Sequence, residues 1–239
     1  MYYGWRAKIG LITPANGTAN EMDFHRYAPE GVATMTQRIF FEKVDVNGLS
    51  ALAERAVEGA RILASANPDL LVFGCTTGSL IKGYGYDQEL SERIHQVSGI
   101  KTITTTTALI QALRALRSKR VLVSTPYSDE VNAIEKKFLE DSGFEVVGIH
   151  GLGYTNPNMM PQTTTEQMHK LTRDNMEPSA DTIFVSCTGI GVLDGINIME
   201  AEFKRPVITS NQVTLWYALR QLSIHEDVGL GTLFQVSSS

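Results

Sequence analysis

The feature that most limits how this chain can fold is an internal repeat. Lys8-Ile9-Gly10-Leu11-Ile12-Thr13-Pro14 aligns with Arg120-Val121-Leu122-Val123-Ser124-Thr125-Pro126, and Asn20 falls on Asn132, each pair 112 positions apart. The same offset carries Asp69 onto Asp181, Cys75 onto Cys187 and Thr76 onto Thr188, so residues 69–76 and 181–188 read as one strand written twice. Near the ends of the halves the register slips to 106, where Ala112-Leu113-Arg114-Ala115-Leu116 resembles Ala218-Leu219-Arg220-Gln221-Leu222. Chance dipeptide matches are common, but several at one unforced offset, including both cysteines of the chain, indicate duplication.

Each half alternates short apolar runs with helix-like segments. Strands are expected over residues 8–13, 36–41, 70–74, 101–105, 120–124, 145–149, 182–186 and 206–210. Most are continuously apolar rather than alternating, the pattern of parallel strands covered on both faces. Helices are expected over residues 49–66, 87–97, 107–116, 129–142, 164–175, 191–203 and 212–222. In the first of these Leu49, Leu52, Ala56, Ala60 and Leu63 fall three or four apart and form one buried stripe. The expected fold is therefore α/β: two pseudo-symmetric, doubly wound parallel-sheet domains related by duplication, with a site in the cleft between them. The first lobe is expected to comprise residues 1–105 with 211–239, and the second residues 106–210. The tail from Val236 to Ser239 is expected to fray.

Composition narrows the function by exclusion. The chain has 239 residues, 43% of them hydrophobic, enough to bury a core without metals or disulfides. With 21 basic and 26 acidic residues it carries a formal charge of −5, and no basic cluster marks a nucleic-acid or anionic-membrane surface. Apolar runs fall far short of the roughly 20 residues of a membrane span. The first residues enter a strand-like run without a signal-peptide pattern, so a cytoplasmic location is expected. The five histidines are scattered, no metal-ligand spacing occurs, and neither a GxGxxG after the first strand nor a Walker A sequence supports a nucleotide cofactor. No cofactor and no metal are expected.

The chemistry then rests on Cys75 and Cys187. Alone, two free cysteines read as small buried hydrophobes. Their placement at the carboxyl ends of duplicated parallel strands, where ligands bind in such sheets, changes that reading. Thr76-Thr77-Gly78-Ser79 and Thr188-Gly189-Ile190-Gly191 follow them, offering backbone N–H groups that suit an anion and favour a thiolate. Two thiols facing one cleft can serve opposite faces of one carbon centre, one attacking or removing a proton and the other supplying one. The two Thr-Pro loops should rim the same cleft, bringing Pro14, Asn16 and Tyr127 to it. Asn16 also fits a plain Asn-Gly turn, and Asp129 is a better helix N-cap than ligand. The polar loops at residues 154–158 and 210–212 suit a dicarboxylate better than an apolar ligand.

These paired motifs resemble the aspartate/glutamate racemase superfamily, and within it the branch of maleate cis–trans isomerases and arylmalonate decarboxylases. The residues that carry the resemblance are Pro14-Ala15-Asn16-Gly17-Thr18 with Glu21, Gly74-Cys75-Thr76-Thr77-Gly78-Ser79, the run from Thr125 to Asn132, Ser186-Cys187-Thr188-Gly189, and Ser210-Asn211-Gln212 with Leu215-Trp216. The resemblance implies a cofactor-independent isomerase of maleate or a close cis-enedioate. It assigns Cys75 to addition at the double bond, giving a succinyl thioether that rotates and eliminates, and Cys187 to handling the proton. It assigns Asn16, Tyr127 and Asn156, with Asn158 as the alternative match, to the carboxylates, together with Pro14, Thr76, Thr77, Thr188 and Gly189 around them. Decarboxylase members lack the first cysteine, whereas this chain has both. Two-thiol racemases of the superfamily also have both, so a racemase or a decarboxylase-like carbon-acid enzyme is the alternative. Maleate isomerases often read Pro-Ser-Ser-Asn where this chain has Pro14-Ala15-Asn16, which leaves room for a relative of maleate. The partners implied are a small dicarboxylate and, as is usual for the family, a second copy in a homodimer.

Overall fold

The structure is a computed structural model, and residues 1–236 are described. The expectation for the tail beyond Val236 lies outside the described residues. These residues form two four-stranded parallel sheets. In the first, β1 (Ala7–Pro14), β2 (Val32–Ile39), β3 (Leu70–Phe73) and β4 (Thr102–Thr104) lie in the order β2-β1-β3-β4. In the second, β5 (Arg120–Tyr127), β6 (Glu145–Tyr154), β7 (Thr182–Val185) and β8 (Val207–Thr209) repeat it as β6-β5-β7-β8. The sequence repeat is thus a topological repeat.

Matched residues do matched work. Asp69 accepts the Lys8 backbone N–H, and 112 positions on Asp181 accepts that of Arg120. Gly74 N–H donates to Ile12 O, and Ser186 N–H to Ser124 O. Asn20 donates weakly to the Thr13 hydroxyl at 3.4 Å, while Asn132 accepts from the Thr125 hydroxyl at 2.6 Å. Near the ends the offset is 105 where Thr104 and Thr209 cap α5 (Thr105–Ala115) and α9 (Ser210–Gln221), and 106 at their C-caps Leu116 and Leu222. One extra residue in α9 accounts for the last step, from 105 to 106.

Helices cover both faces of each sheet. The outer face of the first sheet buries Ile12, Leu71 and Phe73 against α2 (Val46–Ala64) and α4 (Tyr86–Ser98). The outer face of the second buries Leu122, Ile183 and Val185 against Met168 of α7 (Thr165–Asp174) and Met199 of α8 (Ile196–Phe203). The largest core lies between the sheets. It joins Ile9, Leu11 and Val72 to Val121, Val123 and Phe184 through Leu109 and Leu113 of α5 and Val213 and Leu219 of α9, which pack on each other. No helix of the described residues is long and apolar enough to cross a membrane.

Of the stretches that differ from expectation, two bear on the site. The second strand was expected at residues 36–41, but β2 ends at Ile39 and Phe41 lies in the loop beyond it. As an edge strand β2 is only half buried, so it tolerates Thr34, Thr36, Gln37 and Arg38, while the apolar run looked more strand-like than the strand. The polar loop expected at residues 154–158 starts on the last residue of β6, Tyr154, and runs into a 3₁₀ turn (Pro157–Gln162).

Candidate active site

Both cysteines leave the carboxyl ends of the inner strands β3 and β7, yet their backbones differ. Cys75 is extended (φ −151°) and caps the short helix α3 (Thr76–Leu80), its sulfur accepting the Gly78 N–H at 3.4 Å. Cys187 holds φ +118°, a conformation L-residues rarely adopt, and its sulfur accepts the Gly189 N–H at 3.2 Å. No helix follows Cys187 directly. The chain turns through Thr188-Gly189 instead, and strain of this kind, of order 1–3 kcal/mol, gathers at functional sites.

The two thiols line one pocket of about 430 Å³ of empty space. Thr13, Pro14, Asn16, Gly17 and Thr77 join Cys75 on one side, and Tyr127, Thr188 and Gly189 join Cys187 on the other. An apolar wall of Phe41, Val44, Pro157 and Met160 completes it. Among the described residues, the lining includes no Lys, Arg or His. The halves are stitched together directly beneath the pocket. Ser210 Oγ accepts both the Cys187 N–H at 2.9 Å and the Thr76 hydroxyl at 2.8 Å, while the Thr188 hydroxyl donates to Gly74 O at 3.2 Å. Asn20 also donates to that carbonyl, and a Cβ on residue 74 would sit 2.2 Å from the Asn20 amide, so only glycine fits there.

Burial dominates the electrostatics. It pushes the Cys75 thiol up to about 11, against smaller opposing pulls from the Gly78 N–H and the Thr77 hydroxyl. It pushes Cys187 up to about 12, although the Tyr127 hydroxyl and the Gly189 N–H both donate to that sulfur. The thiolate expected from the strand-end position is thus opposed by desolvation, which outweighs a few backbone donors here. The Tyr127 hydroxyl is held well above its ordinary value, by burial first and then by the charges it would face at Cys187 and Glu135.

Of the residues singled out from the sequence, Pro14, Asn16, Cys75, Thr77, Tyr127, Cys187, Thr188 and Gly189 meet in this pocket. Thr76 lies beside it, buried and bonded to Ser210. Asn156 and Asn158 are exposed and lie outside the lining, because Asn156 turns its side chain to accept the Asn158 N–H at 3.0 Å and cap the 3₁₀ turn. That turn instead sends Pro157 and Met160 inward. The apolar wall was not read as part of a site. Its only trace in the sequence is an apolar run, Ile39-Phe40-Phe41, outlasting its strand.

The model of the arylmalonate decarboxylase family matches residues 9–234. The arylmalonate decarboxylase of Bordetella bronchiseptica is 28% identical over 214 residues, spanning 89% of each chain. The maleate isomerase of Pseudomonas putida is 22% identical over 240 residues, spanning 95% of this chain and 96% of that one. Among solved structures, a Nocardia farcinica maleate cis–trans isomerase variant with a covalently bound succinylcysteine intermediate superposes with a TM-score of 0.92 at 21% identity, covering 97% of this chain and 99% of that one. A family model that runs from β1 to α10 (Gly231–Gln235) takes in both sheets and both cysteines, and the chain belongs to the arylmalonate decarboxylase family.

Proposed function

We propose that this protein is a cofactor-independent cis–trans isomerase of maleate or a close cis-enedioate. The observation that carries the reading is the pair of thiols, one from each half, lining a single small pocket. Cys75, as its thiolate, adds through its sulfur to one alkene carbon. The electron pair of the double bond moves to the neighbouring carbon, where the Cys187 thiol delivers its proton. The resulting succinyl thioether has a single bond about which it rotates. Cys187 then takes a proton back, the double bond re-forms as trans, and the Cys75 sulfur leaves. Gly78 N–H and the Thr77 hydroxyl meet charge on the first sulfur, and Tyr127 meets it on the second. Asn16 and the Thr188-Gly189 turn are the polar groups offered to the carboxylates. The succinylcysteine seen in the Nocardia relative fits this sequence of steps.

Incubation with maleate, followed by proton NMR for fumarate, tests the reading. Cys75→Ala should abolish turnover and Cys187→Ser should leave at most a trace. The Cys187→Ser protein should gain the mass of one maleic acid on Cys75. Full activity in Cys75→Ser would end the covalent proposal, since a hydroxyl is a far weaker nucleophile than a thiolate.

The apolar wall of Phe41, Val44, Pro157 and Met160 favours a second reading, a carbon-acid enzyme that decarboxylates or racemises a substrate with an apolar substituent. Decarboxylation of an aryl- or alkylmalonate needs only the Cys187 proton and should survive Cys75→Ala. Racemisation should exchange the α-hydrogen of a chiral acid with solvent deuterium.

A further inference from the structure

Behind the Cys187 loop lies an ionisable group that this chemistry leaves unused. Glu135 sits within α6 (Asp129–Asp141) on the buried stripe of Val131, Phe138 and Leu139, and is fully buried. Its Oε1 accepts the Ser186 hydroxyl at 2.6 Å, and Ser186 is the residue before Cys187. Its Oε2 is buried with no hydrogen-bond partner. The loop it braces is tied at two further points: Ser186 N–H donates to Ser124 O at 2.8 Å, and Cys187 N–H to Ser210 Oγ at 2.9 Å. An apolar side chain would fill the stripe at no desolvation cost, so a carboxyl there calls for a reason.

The repeat supplies a control. The residue 112 positions before Glu135 is Asp23, on α1 (Ala19–Tyr27), and the counterpart of Ser186 is Gly74. Gly74 has no hydroxyl with which to hold a carboxyl behind Cys75, and Asp23 instead accepts the Asn211 amide at 2.7 Å. The clamped carboxyl therefore stands behind only one of the two thiols. Its charge acts on Cys187 and on Tyr127, while Cys75 is governed by burial, Gly78 and Thr77.

We propose that Glu135 is a positioning residue for the proton-carrying half of the site: clamped by Ser186, its carboxyl, whenever it is ionised, keeps the proton on the Cys187 sulfur. A like charge nearby disfavours the thiolate, and a dry interior strengthens that effect. The two chemically identical thiols are thereby given different duties. The elements packed on α6 bring Tyr127 and Arg120 from β5, Glu145, His150 and Tyr154 from β6, and Cys75 at the cap of α3. Arg120 and Glu145 lie at the far, N-terminal ends of their strands. Lys136 and Lys137 on α6 pair outward with Glu140 and Asp141.

The inference rests on Cys187 being the proton carrier, but its test needs no substrate. In a Cys75→Ser background, the rate of Cys187 alkylation by iodoacetamide is followed against pH by peptide mass spectrometry. Glu135→Gln should shift the profile to lower pH and label Cys187 at least about threefold faster at pH 8.5. Glu135→Asp, which keeps the charge, should return most of the parent profile, and Glu135→Leu stands in should the Gln variant fail to fold. Equal rates in folded parent and charge-free variants, including no measurable labelling in either, overturn the inference whatever the substrate proves to be. A shifted profile in a protein that does not isomerise maleate would sustain it and dismiss only the isomerase reading.

Discussion

A carboxyl sealed inside an α/β core folds most readily with its proton on, and Glu135 follows that rule. Burial raises it from 4.5 to about 7, with the Ser186 hydroxyl pulling the other way. A raised carboxyl binds a proton more tightly in the folded chain than in the unfolded one. Its favourable contribution is therefore complete below about pH 4.5 and is lost as pH climbs through 7, an effect of order 3 kcal/mol. Denaturant unfolding at pH 5 and pH 8 should show Glu135→Gln gaining stability over the wild type at the higher pH. A difference that ignores pH would mean that the carboxyl titrates normally. The two cysteines allow a second comparison. Cys187→Gly relieves a φ of +118° whereas Cys75→Gly relieves nothing, so the first should be the milder by about 1–3 kcal/mol in thermal or denaturant unfolding. Both thiols were legible in the sequence because duplication singled them out. Glu135 was not, although a lone acid on an otherwise apolar helical stripe is a signal that could have been read.

At the scale of elements, the strands were the most legible part, since continuous apolar runs bounded by turns have few other uses in a chain of this composition. What escaped was held by position rather than hydrophobicity. The polar α1 is fixed by Phe24 and by Asn20 reaching Gly74 O, while α3 is a five-residue helix that the pattern reads as loop. The strand starts depend on a device that recurs in both halves. Asp181 accepts the backbone N–H groups of Lys119 and Arg120 and is half buried, whereas Asp69 accepts that of Lys8 and is exposed. Asp181→Ala should cost about 1–3 kcal/mol in urea unfolding, and Asp69→Ala less. Equal losses would show that burial does not grade the two.

For the molecule as a whole, duplication did not yield two independent units. The largest core draws side chains from both sheets, and α5 and α9 share it through the Thr105–Thr214 hydroxyl pair at 3.0 Å. Across the two halves, Arg26 and Tyr27 of α1 both reach Asp194. Unfolding should accordingly be one cooperative transition, with calorimetric and van't Hoff enthalpies agreeing, and a chain cut between β4 and β5 should give no folded half. Two separate heat-absorption peaks would contradict this. The stitching beneath the pocket also bears on how anything enters it. Ser210 is tied to Thr76 and to the Cys187 backbone at once, so swinging the halves apart would tear the floor of the site before widening its mouth. Traffic in and out must then use the rim that this floor leaves free, the Pro14–Gly17 bend and the Phe41 and Met160 side chains, making admission a matter of small side-chain movements over a fixed base.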